Sequence, residues 1–366
     1  MSNTDALLNA LRQVIDPDFA QDIVSLKMVE DLKLEGNLVT FTLVLTTPAC
    51  PLKETFKSDS LKAVQSVNAD YQLEINFTSR VTTPRDINQA TLVNIKNIVL
   101  ISSGKGGVGK STMASNIAVG LAQKGAKVAL LDADIHGPSI PTFLGVEDEK
   151  PGMVQKDGKY VMIPVEKYGI KILSMGMLVD KNQPLVFRGP MQASALKQLL
   201  LDVEWGELDY LFIDLPPGTG DIHLSLAQQF PITGAVIVTS PQKVSVADTR
   251  KSIEMFLTPQ TEVPIIGIIE NMSWFTPEEH PEERYFLFGQ GGGEELASAY
   301  NIPLLGQIPL IAGLDNRSDQ GIPAVLNRNP LMKDPLIGLV EKVAQGIAIK
   351  NAETMKKEAL KTAEAE

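Results

Sequence analysis

Apolar residues change their spacing twice along this chain, and the changes divide it. Leu7, Leu8, Leu11 and Val14 recur at helical spacing, and Pro17 closes the stripe. Asp31 to Glu35 alternates, Gly36-Asn37 turns, and Val39, Phe41, Leu43 and Leu45 alternate again, a hairpin with one buried face. A helix is predicted over 52–67, and Tyr71, Leu73, Ile75 and Phe77 read as a third strand. This order predicts a small α+β domain over residues 1–80. Residues 81–96, with Pro84 and several Thr, Asn and Gln, read as a linker.

From residue 97 the pattern becomes short continuous apolar runs separated by helical stretches. Runs at 98–101, 127–131, 170–173, 210–214, 235–238, 263–269 and 304–306 read as buried strands. Stretches at 113–125, 191–201, 244–257 and 331–349 read as helices, and the charged, glycine-punctuated residues 147–167 as an exposed excursion. Apolar strands alternating with helices predict an α/β unit over 97–350, a parallel, doubly wound sheet. Residues 351–366 read as a charged, frayed tail.

Composition narrows the partners. The chain has 366 residues, enough for two domains, with 44% hydrophobic and 21% charged residues. A net charge of −11 argues against a nucleic-acid binder that works by phosphate neutralisation. No run is long and apolar enough to predict a membrane span, and the N-terminus lacks a basic-then-apolar export signal. One cysteine, Cys50, excludes an intramolecular disulfide and suits a reducing cytoplasm. Any sulfur-ligated metal centre therefore needs more than one chain.

The chemistry concentrates behind the strand at 98–101. Gly104-Lys105-Gly106-Gly107-Val108-Gly109-Lys110-Ser111 matches G-x-x-x-x-G-K-[ST], and Thr112 continues into a helix. Strand, glycine loop and helix form a phosphate loop: backbone N–H groups turn inward on a polyanion, and the helix N-terminus adds partial positive charge. Lys110 is expected on the β- and γ-phosphates and Ser111 on Mg²⁺. Ligands of such sheets bind beyond the strand C-termini, where Asp132, Asp134 and Asp214 fall. Asp214, followed by Leu215-Pro216-Pro217-Gly218-Thr219-Gly220-Asp221, is expected to hold Mg²⁺, and the Gly218 N–H to sense the γ-phosphate, making 216–221 a switch segment. Strand-end carboxylates also cap helices, so local sequence leaves both roles open for Asp132 and Asp134. Cys50 lies between two prolines just before a helix, a place that lowers a thiol's pKa; a buried small hydrophobe is the equal alternative.

The string K-G-G-V-G-K-S-T resembles the deviant phosphate loop of the ParA/MinD/nitrogenase-iron-protein ATPases, in which Lys105 would cross a dimer interface to the partner's nucleotide. In the first unit, Asp16-Pro17, Asp22–Leu26 and Thr47–Leu52 resemble the small domain of iron–sulfur assembly factors. Over nearly its full length the chain is similar to the Mrp/ApbC-type iron–sulfur cluster carrier ATPases. That resemblance implies a cytoplasmic homodimer that binds ATP and Mg²⁺, holds a [4Fe–4S] cluster between subunits and delivers it to apo-proteins alongside assembly factors. It also implies roles. Asp134 would position the attacking water, with Asp132 nearer the metal. Asn271 would contact adenine, Gln307–Pro309 would wrap the base, and Arg188–Pro190 would lie near the dimer interface. Cys50 becomes a candidate cluster ligand. The family's C-x-x-C pair is absent: Trp274 to Arg284 contains no cysteine. Two other readings stay open, a ParA/MinD-like positioning ATPase and a client-recruiting scaffold without a cluster.

Overall fold

Alternation in the first eighty residues produces a three-stranded sheet backed by two helices in the computed structural model, which describes residues 3–84, 92–135, 137–156, 158–178, 189–277, 279–311 and 320–365. The elements are α1 (Asn3–Leu11), β1 (Ile15–Asp16), β2 (Gln21–Asp22), β3 (Val29–Glu35), β4 (Leu38–Leu45), α2 (Lys53–Val67) and β5 (Gln72–Ser79). β4 is central, antiparallel to β3 and parallel to β5. Val39, Phe41, Leu43 and Leu45 meet Leu7 and Leu11 of α1 and Phe56 and Val64 of α2 in one apolar core. The first helix stops at Leu11, short of Pro17. The Val14 N–H is donated to the Leu11 carbonyl at 3.1 Å, and the Val14 carbonyl accepts the Ile23 N–H at 3.0 Å. That second bond turns the chain into the β1–β2 pair instead of another helical turn.

The second unit contains β6 (Ile95–Ser102), α3 (Lys110–Gln123), β7 (Val128–Asp132), α4 (Ile140–Leu144), β8 (Gly152–Lys156), β9 (Lys159–Ile163), β10 (Val165–Lys167), β11 (Ile170–Ser174), α5 (Met175–Leu178), α6 (Gly189–Leu201), β12 (Leu208–Asp214), α7 (Asp221–Gln229), β13 (Gly234–Thr239), α8 (Lys243–Leu257), β14 (Ile265–Thr276), α9 (Gly292–Tyr300), β15 (Leu304–Ile311) and a final helix, α10 (Pro330–Ala365). Among the described residues the main sheet has eight strands in the order β10-β11-β7-β12-β6-β13-β14-β15. Every pair is parallel except β10–β11, so the sheet carries one antiparallel edge strand. The expected excursion at 147–167 contains that edge strand and an antiparallel β8–β9 hairpin.

Each central strand divides its side chains between two apolar layers, as a sheet covered on both faces must. Ile98, Leu100, Leu211 and Ile213 face a layer completed by α6 to α9. Val99, Ile101, Leu130 and Phe212 face one completed by α3 and α10. Those two helices approach closely: a Cβ on Gly120 would lie 2.5 Å from Val340 Cγ2. β6 lies between β12 and β13, so the chain reverses its direction of winding at the strand that feeds the glycine loop, where a crevice opens.

The first unit docks on this sheet. Ala49 and Val81 join the α3–α10 layer. The Tyr210 hydroxyl donates to Thr47 Oγ1 at 3.2 Å, and Gln345 Nε2 donates to both Asp18 carboxylate oxygens at 2.7 and 2.8 Å. The segment read as a frayed tail continues α10 to Ala365, and buried Asn351 donates to the Thr82 carbonyl and to Asn97 Oδ1, both at 2.8 Å.

Candidate functional site

The chain passes from β6 to α3 through residues 103–109, and the loop's shape depends on glycine. Gly107 and Gly109 both have φ of +81°, a conformation that L side chains rarely adopt. A Cβ on Gly104 would fall 2.2 Å from the Asp248 backbone, and one on Gly109 would fall 2.2 Å from Asn271 Nδ2. Beyond the loop lies an open cleft of about 240 Å³. It is lined by Ser103, Lys105, Gly106, Gly107, Gly109, Lys110, Ser111, Thr112, Asp134, Gly137, Ser139, Phe143 and Pro217. α3 begins at Lys110, so its unsatisfied N–H groups and positive dipole end face the cleft.

At the floor, buried Lys110 donates from Nζ to Asp214 Oδ1 at 2.7 Å and to Ser111 Oγ at 3.3 Å. Ser111 Oγ donates to Asp214 Oδ2 at 2.5 Å. Sequence separates Asp214 from Lys110 widely; the β6–β12 pairing, with Asp214 opposite Ile101, brings them together. Burial pushes the Asp214 pKa up, and the Lys110 ammonium opposes that push. A buried ion pair adds little net stability against an apolar replacement. What it maintains is a desolvated cation and carboxylate beside a polyanion cradle. A serine hydroxyl and a carboxylate are hard oxygen donors that fit Mg²⁺.

The other acids separate. Asp134 lines the cleft, and its Oδ1 accepts the Gly137 N–H at 3.2 Å. Asp132 is fully buried, and its two oxygens accept from the Asp134 N–H, the Ile140 N–H and Ser174 Oγ at 3.1–3.3 Å. Burial, then the nearby Asp214 charge, raises its pKa. Asp132 thus organises the turn after β7, a helix-capping type of contact, and is not among the residues lining the cleft.

Asn271 is buried against the loop, with Nδ2 donating to the Val108 carbonyl at 2.9 Å. The Gly218 N–H is donated to the Ser103 carbonyl at 2.8 Å. Gln307 Nε2 is held by Glu270 Oε1 at 3.1 Å. Pro309, with Thr112, Met113, Asn116 and Leu336, lines a small apolar recess beside the first turn of α3. Arg188 and His136 lie outside the described residues. Pro217, within the expected switch segment, reaches the cleft; so does Phe143 of α4, which no signal in the local sequence marks.

At Cys50 the surroundings resemble the buried-hydrophobe alternative more than the low-pKa one. The thiol is half-buried, and burial pushes its pKa up to about 11, with the Leu52 N–H pulling the other way and the Asp16 and Asp18 charges adding to the rise. Desolvation outweighs the helix N-terminus here, so the thiolate is disfavoured. Where the family pattern has its cysteines, Phe275 and Tyr285 exchange backbone bonds at 2.8 and 2.9 Å, and Arg284 stacks 4.4 Å from the Trp274 ring. On that hairpin His280, Glu282 and Glu283 bring ligand atoms within 4.8 Å of one another.

Comparison with known proteins decides the affiliation. Residues 94–347 match the family described as NUBPL iron-transfer P-loop NTPases, and residues 4–76 match the iron–sulfur cluster assembly protein family. The chain belongs to the NUBPL-type iron-transfer P-loop NTPases. An iron–sulfur cluster carrier protein of Synechocystis is 47% identical over 90% of this chain and 93% of its own. One from Deinococcus radiodurans is 45% identical over 88% and 89%. A nucleotide-binding protein of Archaeoglobus fulgidus, solved with ADP, superposes with a TM-score of 0.54 at 41% identity, over 63% of this chain and 88% of that one. As in other P-loop NTPases, the glycine loop, here 104–112, lies in the topological position that this fold reserves for nucleotide. No helix among the described residues is long and apolar enough to cross a membrane.

Proposed function

We propose that this protein is a cytoplasmic, homodimeric, Mg²⁺-dependent ATPase that carries iron–sulfur clusters to apo-proteins. The observation that carries the ATPase half is the buried Lys110–Asp214–Ser111 constellation under a glycine cradle. The relatives' printed names supply the carrier half. Gly104 to Thr112 would hold the phosphates, with Lys110 as the fixed cation. Ser111 and Asp214 would hold Mg²⁺, which when bound offsets phosphate charge. Asp134, on the cleft wall, would orient the attacking water, and Lys105 would complete the site of a second copy. Asn271 and the 307–309 segment would border the adenine. Asp132 is better explained as the residue that sets Asp134 in place than as a metal ligand. Hydrolysis in such a site changes the arrangement of two chains, which suits loading and release of a cargo.

The cluster itself is cargo, and each chain offers it few soft donors. Clusters are held mainly by thiolates, and each chain has one cysteine with a disfavoured thiolate. His280, Glu282 and Glu283 are harder donors that suit iron better than a sulfide cluster. This favours a second reading, a scaffold that recruits clients through the first unit. Anaerobic reconstitution with iron and sulfide separates the two. Cluster absorbance, lost in Cys50→Ala and passed to an apo-ferredoxin, supports carriage; protein that stays colourless contradicts it.

A further inference from the structure

His223, in the first turn of α7, is 1% exposed. Neither Nδ1 nor Nε2 has a hydrogen-bond partner among the described residues. The ring packs against Phe256 of α8, with centroids 6.3 Å apart. Burial lowers its pKa to about 4, so it is neutral and must carry one N–H. An unmade hydrogen bond at such depth is expensive, and native proteins rarely leave one without a reason.

The reason lies in the segment just before it. The carbonyls of Pro216 and Gly220 lie close enough to interact with the ring and favour its protonated form, yet neither meets a ring nitrogen at full hydrogen-bond geometry. Between them, Gly218 has φ of +98° and donates its N–H to Ser103 O, on the floor of the nucleotide cleft. A Cβ on Gly218 or Gly220 would meet nothing within 4 Å, so the segment has room to shift. The Lys110 charge also reaches the ring.

We propose that His223 is a positioning residue for the 216–221 segment, unpaired in the arrangement seen here and hydrogen-bonded to the Pro216 or Gly220 carbonyl in a second arrangement. A terminal phosphate in the cleft competes with Ser103 for the Gly218 N–H. Once that bond yields, the segment moves and a carbonyl comes within reach of the imidazole N–H. The bond gained there favours the arrangement that grips the phosphate, and its loss after hydrolysis lets the segment return. The inference rests on the nucleotide-binding reading above.

The test is ¹⁵N-histidine NMR of the full-length protein, which has only three histidines, with His223 assigned through His223→Gln. Calorimetry on the same sample records uptake of a non-hydrolysable ATP analogue with Mg²⁺. We expect the protonated ring nitrogen of His223 to shift to a hydrogen-bonded position with the analogue and not with ADP. His223→Leu should lower kcat roughly tenfold, one hydrogen bond's worth, while ADP affinity is unchanged. Uptake of the analogue with an unmoved His223 signal overturns the positioning role alone. No uptake overturns the nucleotide reading and this role with it. The wild-type spectrum decides the matter even where the leucine variant does not fold.

Discussion

At the residue scale, what matters is which groups are kept out of water. Lys110 and Asp214 are buried together, and removal of either strands the other. Lys110→Ala should therefore abolish measurable ATP turnover, read by phosphate release. Lys105→Ala should leave nucleotide affinity within a few-fold and cut turnover on the order of 10³-fold, the scale of a lost arginine finger. Gly109→Ala should cost about 1–3 kcal/mol in thermal unfolding, because the loop's left-handed turn admits no Cβ beside Asn271. Cys50, with its pKa near 11, should alkylate slowly at pH 7, and the rate should climb about tenfold per pH unit to pH 10. His223 gives the clearest pH signature. Its folded pKa of about 4 lies below the ordinary 6.5, so only the unfolded chain takes up its proton between those values. The stability it contributes is present above pH 6.5 and falls as pH drops toward 4. Wild type should lose more stability over that window than His223→Leu does in urea titrations.

At the element scale, the strands and helices follow the hydrophobic period closely. Uninterrupted runs such as Leu211–Ile213 became central strands because both faces of the sheet are covered. The loop motif was legible for the same reason: glycine and lysine at fixed offsets have few other uses. What the sequence hid was decided by tertiary context. No local signal tells that Val14 will bond to Ile23 and end α1, or that burial at Cys50 will outweigh a helix N-terminus. Nor does spacing say that Asp132 will be consumed by the turn it caps while Asp134, two residues on, reaches the cleft. α10 is the element that ties the two units together through Gln345 and Asn351. Asn351→Leu removes the amide that satisfies Thr82 O and Asn97 Oδ1. It should cost about 1–3 kcal/mol in chemical denaturation without changing nucleotide affinity.

At the scale of the whole molecule, one strand runs between two kinds of chemistry. β12 meets the Thr47–Cys50 turn near its start, through Tyr210, and ends at Asp214, buried beneath the cleft against Lys110 and Ser111. The first unit and the phosphate loop therefore share one strand, a layout that suits the proposed coupling of nucleotide to cargo. Membership in the NUBPL-type NTPases accounts for the loop and the sheet order, and the match of residues 4–76 to the iron–sulfur cluster assembly protein family accounts for the small preceding unit. All of it depends on a triphosphate being gripped by the 104–112 backbone with Lys110 beneath. Equilibrium calorimetry of Mg·ATP against wild type and Lys110→Ala measures that grip directly. The account predicts saturable uptake by wild type and its loss in the variant; equal binding by both, or by neither, would contradict it.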